Sequence, residues 1–199
     1  MTPTVDFYFD YGSPNAYLAY RRLPAIAARC GAEIRYRPML LGGVFKGTGN
    51  HSPAEIAAKR PYGINDIRRF AKRHNIPFQP NPFFPINTLQ LMRGAVAAET
   101  DGTLTRYSDA IFDGIWCHAR NLGDPAVVSA ILDQAGINPA AFAARIAEEA
   151  VKERLKTYTE AAIARGIFGA PSFFVGDELF FGQDRLDFVE EALNGRSYL

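Results

Sequence analysis

Hydrophobic and polar positions alternate near the start of the chain, in the segment TVDFYF at residues 4–9. Val5, Phe7 and Phe9 fall on one face of a strand with this period of two. A second run of strand-forming residues, AEIRYRPML, follows at residues 32–40. The pattern between these two runs is helical. The first part of the chain is therefore predicted to form a β-α-β unit.

The helix of this unit is predicted to begin at Ser13. Gly12 ends the first strand, and Ser13 followed by Pro14 combines an N-cap residue with proline at the first helical position. The helical pattern then runs to Gly31, a typical stop. Such a serine either caps the helix only or also takes part in chemistry, because a helix N-terminus offers free N–H groups and partial positive charge to an anion.

The middle of the chain is predicted to be helical, with about five helices and no strand between Ser52 and Gly166. The signals for helix starts and stops are Ser52, Asp124, Asn138, Gly136 and Gly166. Before this block, the glycine-rich segment LLGGVFKGTGN at residues 40–50 is predicted to be a loop over a site.

Strand-forming residues return after the helical block, in PSFFVGDELFFG at residues 171–182. This segment predicts two short strands around a Gly-Asp turn, and the amphipathic segment at residues 184–195 predicts a final helix. A β-α-β start, a β-β-α finish and a helical block between them predict one mixed sheet that carries an insertion, in the α/β class.

Composition narrows the range of partners. The chain of 199 residues is 48% hydrophobic and has a formal net charge of +1, so it offers no electrostatic footprint for nucleic acid or for an anionic membrane. The segment MTPTVDFYFDYG has no basic n-region and no apolar h-region, and no uncharged apolar run approaches the length of a membrane span. We therefore expect a cytoplasmic protein whose partners are small molecules or protein.

Cysteine and histidine do not form a recognisable reactive or metal-binding pattern. Cys30 and Cys117 lie far apart in helical contexts, which argues against a disulfide, a Cys-x-x-Cys pair or a thiolate zinc site. The three histidines, His51, His74 and His118, do not have metal-ligand spacing. We expect buried free thiols and no metal.

The order of elements and four quoted segments carry a family resemblance. The segments are DFYFDYGSPNAYLA, KRPYGINDIRRFAKRHNIPF, FPINTLQLMRGA and IFGAPSFFVGDELFFGQDRL. With them the chain resembles the group of kappa-class glutathione transferases and 2-hydroxychromene-2-carboxylate isomerases, which is related to the disulfide oxidoreductase DsbA. The resemblance implies a DsbA-like α/β thioredoxin-like fold with a large all-helical insertion. Residues 1–50 and 167–199 would form the core, residues 51–166 the helical insert domain with its connecting helix, and two chains a homodimer.

The resemblance also implies a role for Ser13. DsbA-type enzymes open this helix with Cys-x-x-Cys, because disulfide exchange needs one thiolate to attack and a second to resolve the mixed disulfide. Here the four positions read SPNA, at residues 13–16, so disulfide exchange is excluded at this site. Ser13 would instead stabilise the thiolate of glutathione, the implied cofactor.

Six further residues would bind glutathione by resemblance: Asn50, Lys59, Ala170, Pro171, Gln183 and Asp184. Pro171 is expected to be cis, which leaves the backbone of Ala170 free to pair with the cysteinyl unit of glutathione. Gln183 and Asp184 would hold the γ-glutamyl end, since an ammonium pairs with a carboxylate. The competing interpretations are an ordinary strand-edge proline and an Asp that only caps a helix.

A substrate pocket is predicted from residues near these positions: Tyr11, Asn15, Phe83, Phe84 and Asn87. The two phenylalanines would line an apolar pocket or lie in the core, and Asn87 would act first as a helix cap. Lys46, Arg60 and Arg93 are candidates for binding a substrate carboxylate.

Three functions are compatible with this site. The first is a glutathione-dependent cis-trans isomerase acting on 2-hydroxychromene-2-carboxylate or a similar intermediate of aromatic degradation. The second is a kappa-class-type transferase that conjugates an electrophile, and the third is a DsbA-like binding module without cysteines. Isomerases of the group carry basic residues shortly before the asparagine that matches Asn87, whereas this chain has the uncharged FFPIN. With this departure, another aromatic or dicarbonyl compound is an alternative substrate.

Overall fold

The computed structural model describes residues 2–197, so the predicted domain ends at Met1, Tyr198 and Leu199 lie outside the described residues. In chain order the elements are β1 (Thr4–Phe9), α1 (Pro14–Cys30), β2 (Glu33–Pro38), α2 (Leu41–Thr48), α3 (Lys59–Arg73), α4 (Leu89–Thr100), α5 (Leu104–Phe112), α6 (Pro125–Gln134), α7 (Pro139–Ala147), α8 (Glu149–Ala164), β3 (Ser172–Val175), β4 (Glu178–Phe181) and α9 (Leu186–Leu193). A single π turn extends α5 at Asp113–Cys117, and short 3-10 turns precede α3 and α9.

The four strands form the predicted mixed sheet, in the order β2-β1-β3-β4. β1 is parallel to β2 and antiparallel to β3, which in turn pairs antiparallel with β4. All four strands come from the two ends of the described chain, and α3 to α8 lie between them in sequence. This arrangement confirms the predicted order of elements.

The helical block packs directly on the sheet. The ring of Phe9 in β1 lies 6.0 Å from that of Phe112 in α5, and the ring of Tyr11 lies 4.8 Å from the same Phe112 ring. The Trp116 indole also donates a 2.8 Å hydrogen bond to the carbonyl oxygen of Tyr11. The larger of two hydrophobic clusters among the described residues therefore spans the sheet and the inserted helices, and it packs against one side of the segment between β1 and α1.

The glycine-rich segment after β2 is a helix, α2, so the prediction of a loop was wrong. Its glycines serve close packing rather than flexibility. A Cβ at Gly43 would lie 3.0 Å from the Thr159 methyl, and one at Gly47 would lie 2.7 Å from the Ile163 Cδ1. Both neighbours belong to α8. Glycine thus allows α2 to approach α8 closely, a role that a local sequence pattern does not reveal.

Gly94 in α4 also has no room for a side chain, and the atoms around it lie even closer. A Cβ there would lie 2.1 Å from the Tyr107 hydroxyl and 2.3 Å from the Phe142 ring. Tyr107 is fully buried, and its hydroxyl donates to the Leu91 carbonyl oxygen at 2.9 Å, so it has no room to move. We expect Gly94→Ala to lower the free energy of unfolding by about 3 kcal/mol, measured by denaturant unfolding.

Gly63→Ala is the matched control for this prediction. Gly63 also lies inside a helix, α3, but among the described residues, apart from its chain neighbours and the nearby backbone of its own helix, no atom lies within 4 Å of where its Cβ would be. Alanine there is expected to stabilise the protein by about 0.5–1 kcal/mol, because it restricts the unfolded chain. Equal effects of the two substitutions would contradict the proposed contact of α4 with α5 and α7.

Candidate active site

The sheet topology brings Ser13 next to Ala170. β3 runs antiparallel to β1, with Ser172 at the start of β3 paired with Tyr8 near the end of β1. The residues just before β3 therefore lie beside the residues just after β1. As a result, two positions 157 residues apart in sequence are in hydrogen-bonding contact.

Ser13 caps α1, as predicted. Its backbone is extended, its Oγ accepts a 3.1 Å hydrogen bond from the backbone N–H of Ala16, and Pro14 occupies the first helical position. The Ser13 hydroxyl also donates to the carbonyl oxygen of Ala170 at 3.0 Å. The side chain is 5% exposed. One serine side chain thus caps α1 and at the same time contacts Ala170.

The peptide bond between Ala170 and Pro171 is cis, as expected from the sequence. Within residues 2–197, the backbone N–H groups of Ala170 and Asn15 have no hydrogen-bond acceptor, and neither does the Asn15 side chain. The first turn of α1 contains no acidic residue. The start of α1 therefore presents unpaired donors and partial positive charge, the features that favour an anion.

Asp10 is the site residue that the sequence analysis missed. Its carboxylate is 1% exposed and accepts three hydrogen bonds, from the Gly12 N–H at 2.8 Å, the Leu41 N–H at 2.8 Å and the Thr88 hydroxyl at 3.1 Å. These donors come from the turn before α1, the start of α2 and the start of α4. Burial raises the pKa of Asp10, and the three hydrogen bonds oppose this rise.

Glycine is required at position 12 because Asp10 and Thr88 leave little room for a side chain there. A Cβ at this position would lie 3.1 Å from the Thr88 methyl and 3.3 Å from the Asp10 carboxylate. The glycine that precedes Ser13 therefore allows the turn to fit between Asp10 and α4. The sequence signal for Asp10 was only its polarity at the end of a hydrophobic strand, which is also common in exposed positions.

Asn50 reaches the site, whereas Lys59 does not contact it. The Asn50 side-chain amide donates to the carbonyl oxygen of Phe168 at 2.8 Å, two residues before Ala170. The exposed Phe168 ring packs on the Phe181 ring with centroids 4.7 Å apart. Lys59, the first residue of α3, is exposed, and its side chain makes no hydrogen bond or ion pair with any other described residue.

Gln183 and Asp184 differ in their surroundings. Gln183 is 3% exposed, and the Arg22 guanidinium of α1 donates to both its carbonyl oxygen (2.7 Å) and its side-chain oxygen (2.9 Å). Asp184 faces solvent and pairs with Arg185 at 2.6 Å. Gln183 therefore fixes the turn against α1, while the Asp184 carboxylate is accessible to a ligand.

The residues predicted to form a substrate pocket are not all available to a ligand. Tyr11 is fully buried and its hydroxyl lies 2.8 Å from Ser108 Oγ, so its side chain faces the core. Phe84 packs on Trp116 with ring centroids 5.7 Å apart, whereas Phe83 is 51% exposed. Asn87 is exposed, and its side chain accepts a 3.0 Å hydrogen bond from the Leu89 N–H, the local capping role expected of it.

The three predicted carboxylate-binding cations also differ. Lys46 is exposed on α2, and Arg60 donates to the Ala54 carbonyl oxygen at 3.0 Å. Arg93 lies on the wall of a cavity beside α4. Across residues 2–197 there is no group of three or more side chains that could hold a metal ion, and no helix is long and apolar enough to cross a membrane. Both cysteines are free and partly buried.

The fold and the cis-proline site define a class. A family model described as a DSBA-like thioredoxin domain matches residues 4–194, and the chain belongs to this family. A probable DsbA oxidoreductase from Streptomyces coelicolor superposes with a TM-score of 0.72 at 18% identity, covering 99% of this chain and 92% of that one. The predicted DsbA-like α/β fold is confirmed.

Relatives of higher sequence identity indicate which enzymes of this family the chain resembles. The 2-hydroxychromene-2-carboxylate isomerase of Pseudomonas sp. (strain C18) is 35% identical over 198 residues, covering 96% of this chain and 90% of the relative. Glutathione S-transferase kappa 1 of Homo sapiens is 27% identical over 204 residues, with coverage of 96% and 90%. A solved structure of a 2-hydroxychromene-2-carboxylate isomerase superposes with a TM-score of 0.85 at 32% identity, covering 96% of this chain and 95% of that one. The predicted resemblance is confirmed, and the chain is an enzyme of isomerase or transferase type.

Proposed function

We propose that this protein is a glutathione-dependent cis-trans isomerase acting on 2-hydroxychromene-2-carboxylate or a similar carboxylate-bearing aromatic compound. The observation that carries the proposal is the position of Ser13, at a helix start with unpaired N–H donors and in contact with the carbonyl oxygen that precedes a cis proline. The names of the isomerase relatives support this reaction. Homodimerisation and a cytoplasmic location stay predictions.

The residues present fit glutathione along its length. The unpaired N–H of Ala170 is suited to an extended peptide backbone, and the accessible Asp184 carboxylate is suited to the α-ammonium group. Asn50 donates to the carbonyl oxygen of Phe168, two residues before Ala170, and would bind the glycyl end together with Lys59. The Lys59 side chain would have to approach from the exposed start of α3.

Ser13 would stabilise the sulfur as an anion. When bound, glutathione would supply the thiol that adds to a conjugated double bond and is expelled after rotation about the resulting single bond. The Ser13 hydroxyl can turn from the Ala170 carbonyl oxygen to the sulfur while its Oγ keeps the hydrogen bond from Ala16. The start of α1 would add its partial positive charge.

The proposal is tested by titrating the ultraviolet absorbance of the glutathione thiolate against pH, with wild-type protein and with Ser13→Ala. We expect the wild type to lower the pKa of the thiol and Ser13→Ala to lower it less, because one hydrogen bond to the anion is missing. No binding of glutathione at millimolar concentration would instead favour a binding module that lacks this chemistry.

Measuring whether glutathione is consumed distinguishes an isomerase from a transferase. Both reactions begin with the same thiolate, so Ser13 does not distinguish them. The isomerase returns glutathione unchanged, whereas a transferase consumes one molecule for each product. Relatives of the isomerase type are 31–35% identical and those of the kappa class are 24–29% identical, which is the observation that favours the isomerase.

A further inference from the structure

A cavity of about 560 Å³ lies in the helical block, between α4, α6 and α7. Its volume is in the range of pockets that bind small molecules. Its wall is mainly apolar, with Leu91, Leu132 and Phe142 among its larger side chains. The wall does not include Ser13, Ala170 or any other described residue that contacts Ser13, so the cavity is a separate feature of the molecule.

Arg93 provides the charge of this cavity. Its Nε is the buried side-chain nitrogen without a hydrogen-bond partner in the described part of the chain, and Arg93 forms no ion pair there. Arg93 as a whole is partly buried, but a buried polar nitrogen normally has a hydrogen-bond partner, because losing water without one costs free energy. The N–H groups of the guanidinium can donate two hydrogen bonds to one carboxylate.

The other residues that line the cavity also favour the binding of an anion. Lys152 is a second cation, and no acidic residue lies among the described residues that line the cavity. Lys152 pairs with Glu149 at 3.2 Å, so Arg93 is the cation that is left for a ligand. Pro139, the first residue of α7, lines the wall as well, and the first turn of α7 contains no acidic residue. The positive end of that helix therefore adds to the field of Arg93.

We propose that this cavity is a binding site for a small organic carboxylate with an apolar, ring-sized body, and that Arg93 holds its carboxylate. The apolar side chains would bury the body of the ligand. The proposal does not depend on glutathione use, because the cavity wall includes no residue that is hydrogen-bonded to Ser13. Asn87 and Arg93, which the sequence analysis assigned to the substrate site, line this separate cavity.

Two matched probes test the proposal by calorimetric titration: 2-naphthoate and its uncharged analogue 2-naphthamide. We expect the wild type to bind naphthoate about tenfold or more tightly than naphthamide, since a charge-assisted contact is present only with the carboxylate. Arg93→Gln should abolish this preference and leave naphthamide binding within about twofold. Arg69→Gln, which changes an exposed arginine of α3 outside the cavity, should leave both affinities unchanged.

The location is tested by filling the cavity. Ala143 lines it and is exposed, so Ala143→Trp should preserve the fold and weaken binding of both probes by tenfold or more. Ser13→Ala should change neither affinity. An unchanged preference for naphthoate in Arg93→Gln, or undiminished binding in Ala143→Trp, would overturn the proposal, and neither result would bear on the glutathione site.

Discussion

Ser13→Ala is expected to lower turnover of the proposed glutathione-dependent reaction by about 10²–10³-fold, because one positioned donor to an anion contributes about 3–4 kcal/mol in a water-poor site. Ser13 is almost fully buried, so water does not readily replace its hydroxyl. Binding of glutathione should change by about 1 kcal/mol or less, since Ala170, Asn50 and Asp184 are retained. The free energy of unfolding should fall by about 1 kcal/mol, the usual value of an N-cap.

Ser52→Ala is the control that separates capping from chemistry. Ser52 also precedes a proline, and its Oγ accepts a 3.3 Å hydrogen bond from the Ala54 N–H at the start of a short helical turn. We expect both variants to lose stability through the lost cap, and only Ser13→Ala to lose turnover. Steady-state kinetics and glutathione titration of the two variants check this. If the two variants had equal turnover, Ser13 would be a helix cap without a catalytic role.

Asp10→Ala is expected to lower the free energy of unfolding by about 3 kcal/mol or more, because it leaves the Gly12 N–H, the Leu41 N–H and the Thr88 hydroxyl without an acceptor. Each unsatisfied buried donor costs about 1–3 kcal/mol. For a chain of this length the loss corresponds to a decrease in Tm of about 6–12 °C, measured by thermal unfolding. Thr88→Val removes one donor and keeps the shape, so it should cost much less. A loss as large as that of Asp10→Ala would contradict this account.

Asp10→Asn gives the corresponding pH dependence. Burial raises the pKa of Asp10 above its ordinary value of 3.8, so the folded protein holds this proton more tightly than the unfolded chain. The stability that protonation contributes is fully present below pH 3.8 and is lost as the pH rises through the folded-state pKa.

The stability advantage of the wild type over Asp10→Asn should therefore be larger near pH 4 than at pH 7. Urea unfolding of both proteins at the two pH values measures this difference. Because the other carboxylates titrate in both proteins, their contributions cancel in the comparison. An advantage that grows toward pH 7 would mean that the three hydrogen bonds outweigh burial and that the pKa is lowered.

Parts of the candidate site were predictable because they follow local rules. Ser13 next to Pro14 is a local signal for a helix start, and the structure has that cap. Tyr11, only two residues away, was expected at the ligand, yet it points into the core. Tyr11 lies in the turn between β1 and α1, so the alternation along β1 does not indicate which way its side chain faces.

Asp10 was missed for a related reason. Two of its partners, Leu41 and Thr88, lie 31 and 78 residues further along the chain, and Leu41 contributes a backbone N–H that does not depend on the type of side chain. A local pattern contains no signal for such a contact. The same limitation led to the wrong loop prediction for α2, whose glycines are explained only by the approach of α8.

The sequence by itself determined the strands, the helix caps and the absence of a cysteine pair at the start of α1, because these depend on residues within a few positions of one another. Only the tertiary structure decided which of these residues meet. The antiparallel pairing of β3 with β1 brings Ala170 to Ser13, and the packing of α2 and α4 surrounds Asp10 with donors. Contacts between distant segments arise from burying one shared core, and that burial depends on the whole chain at once.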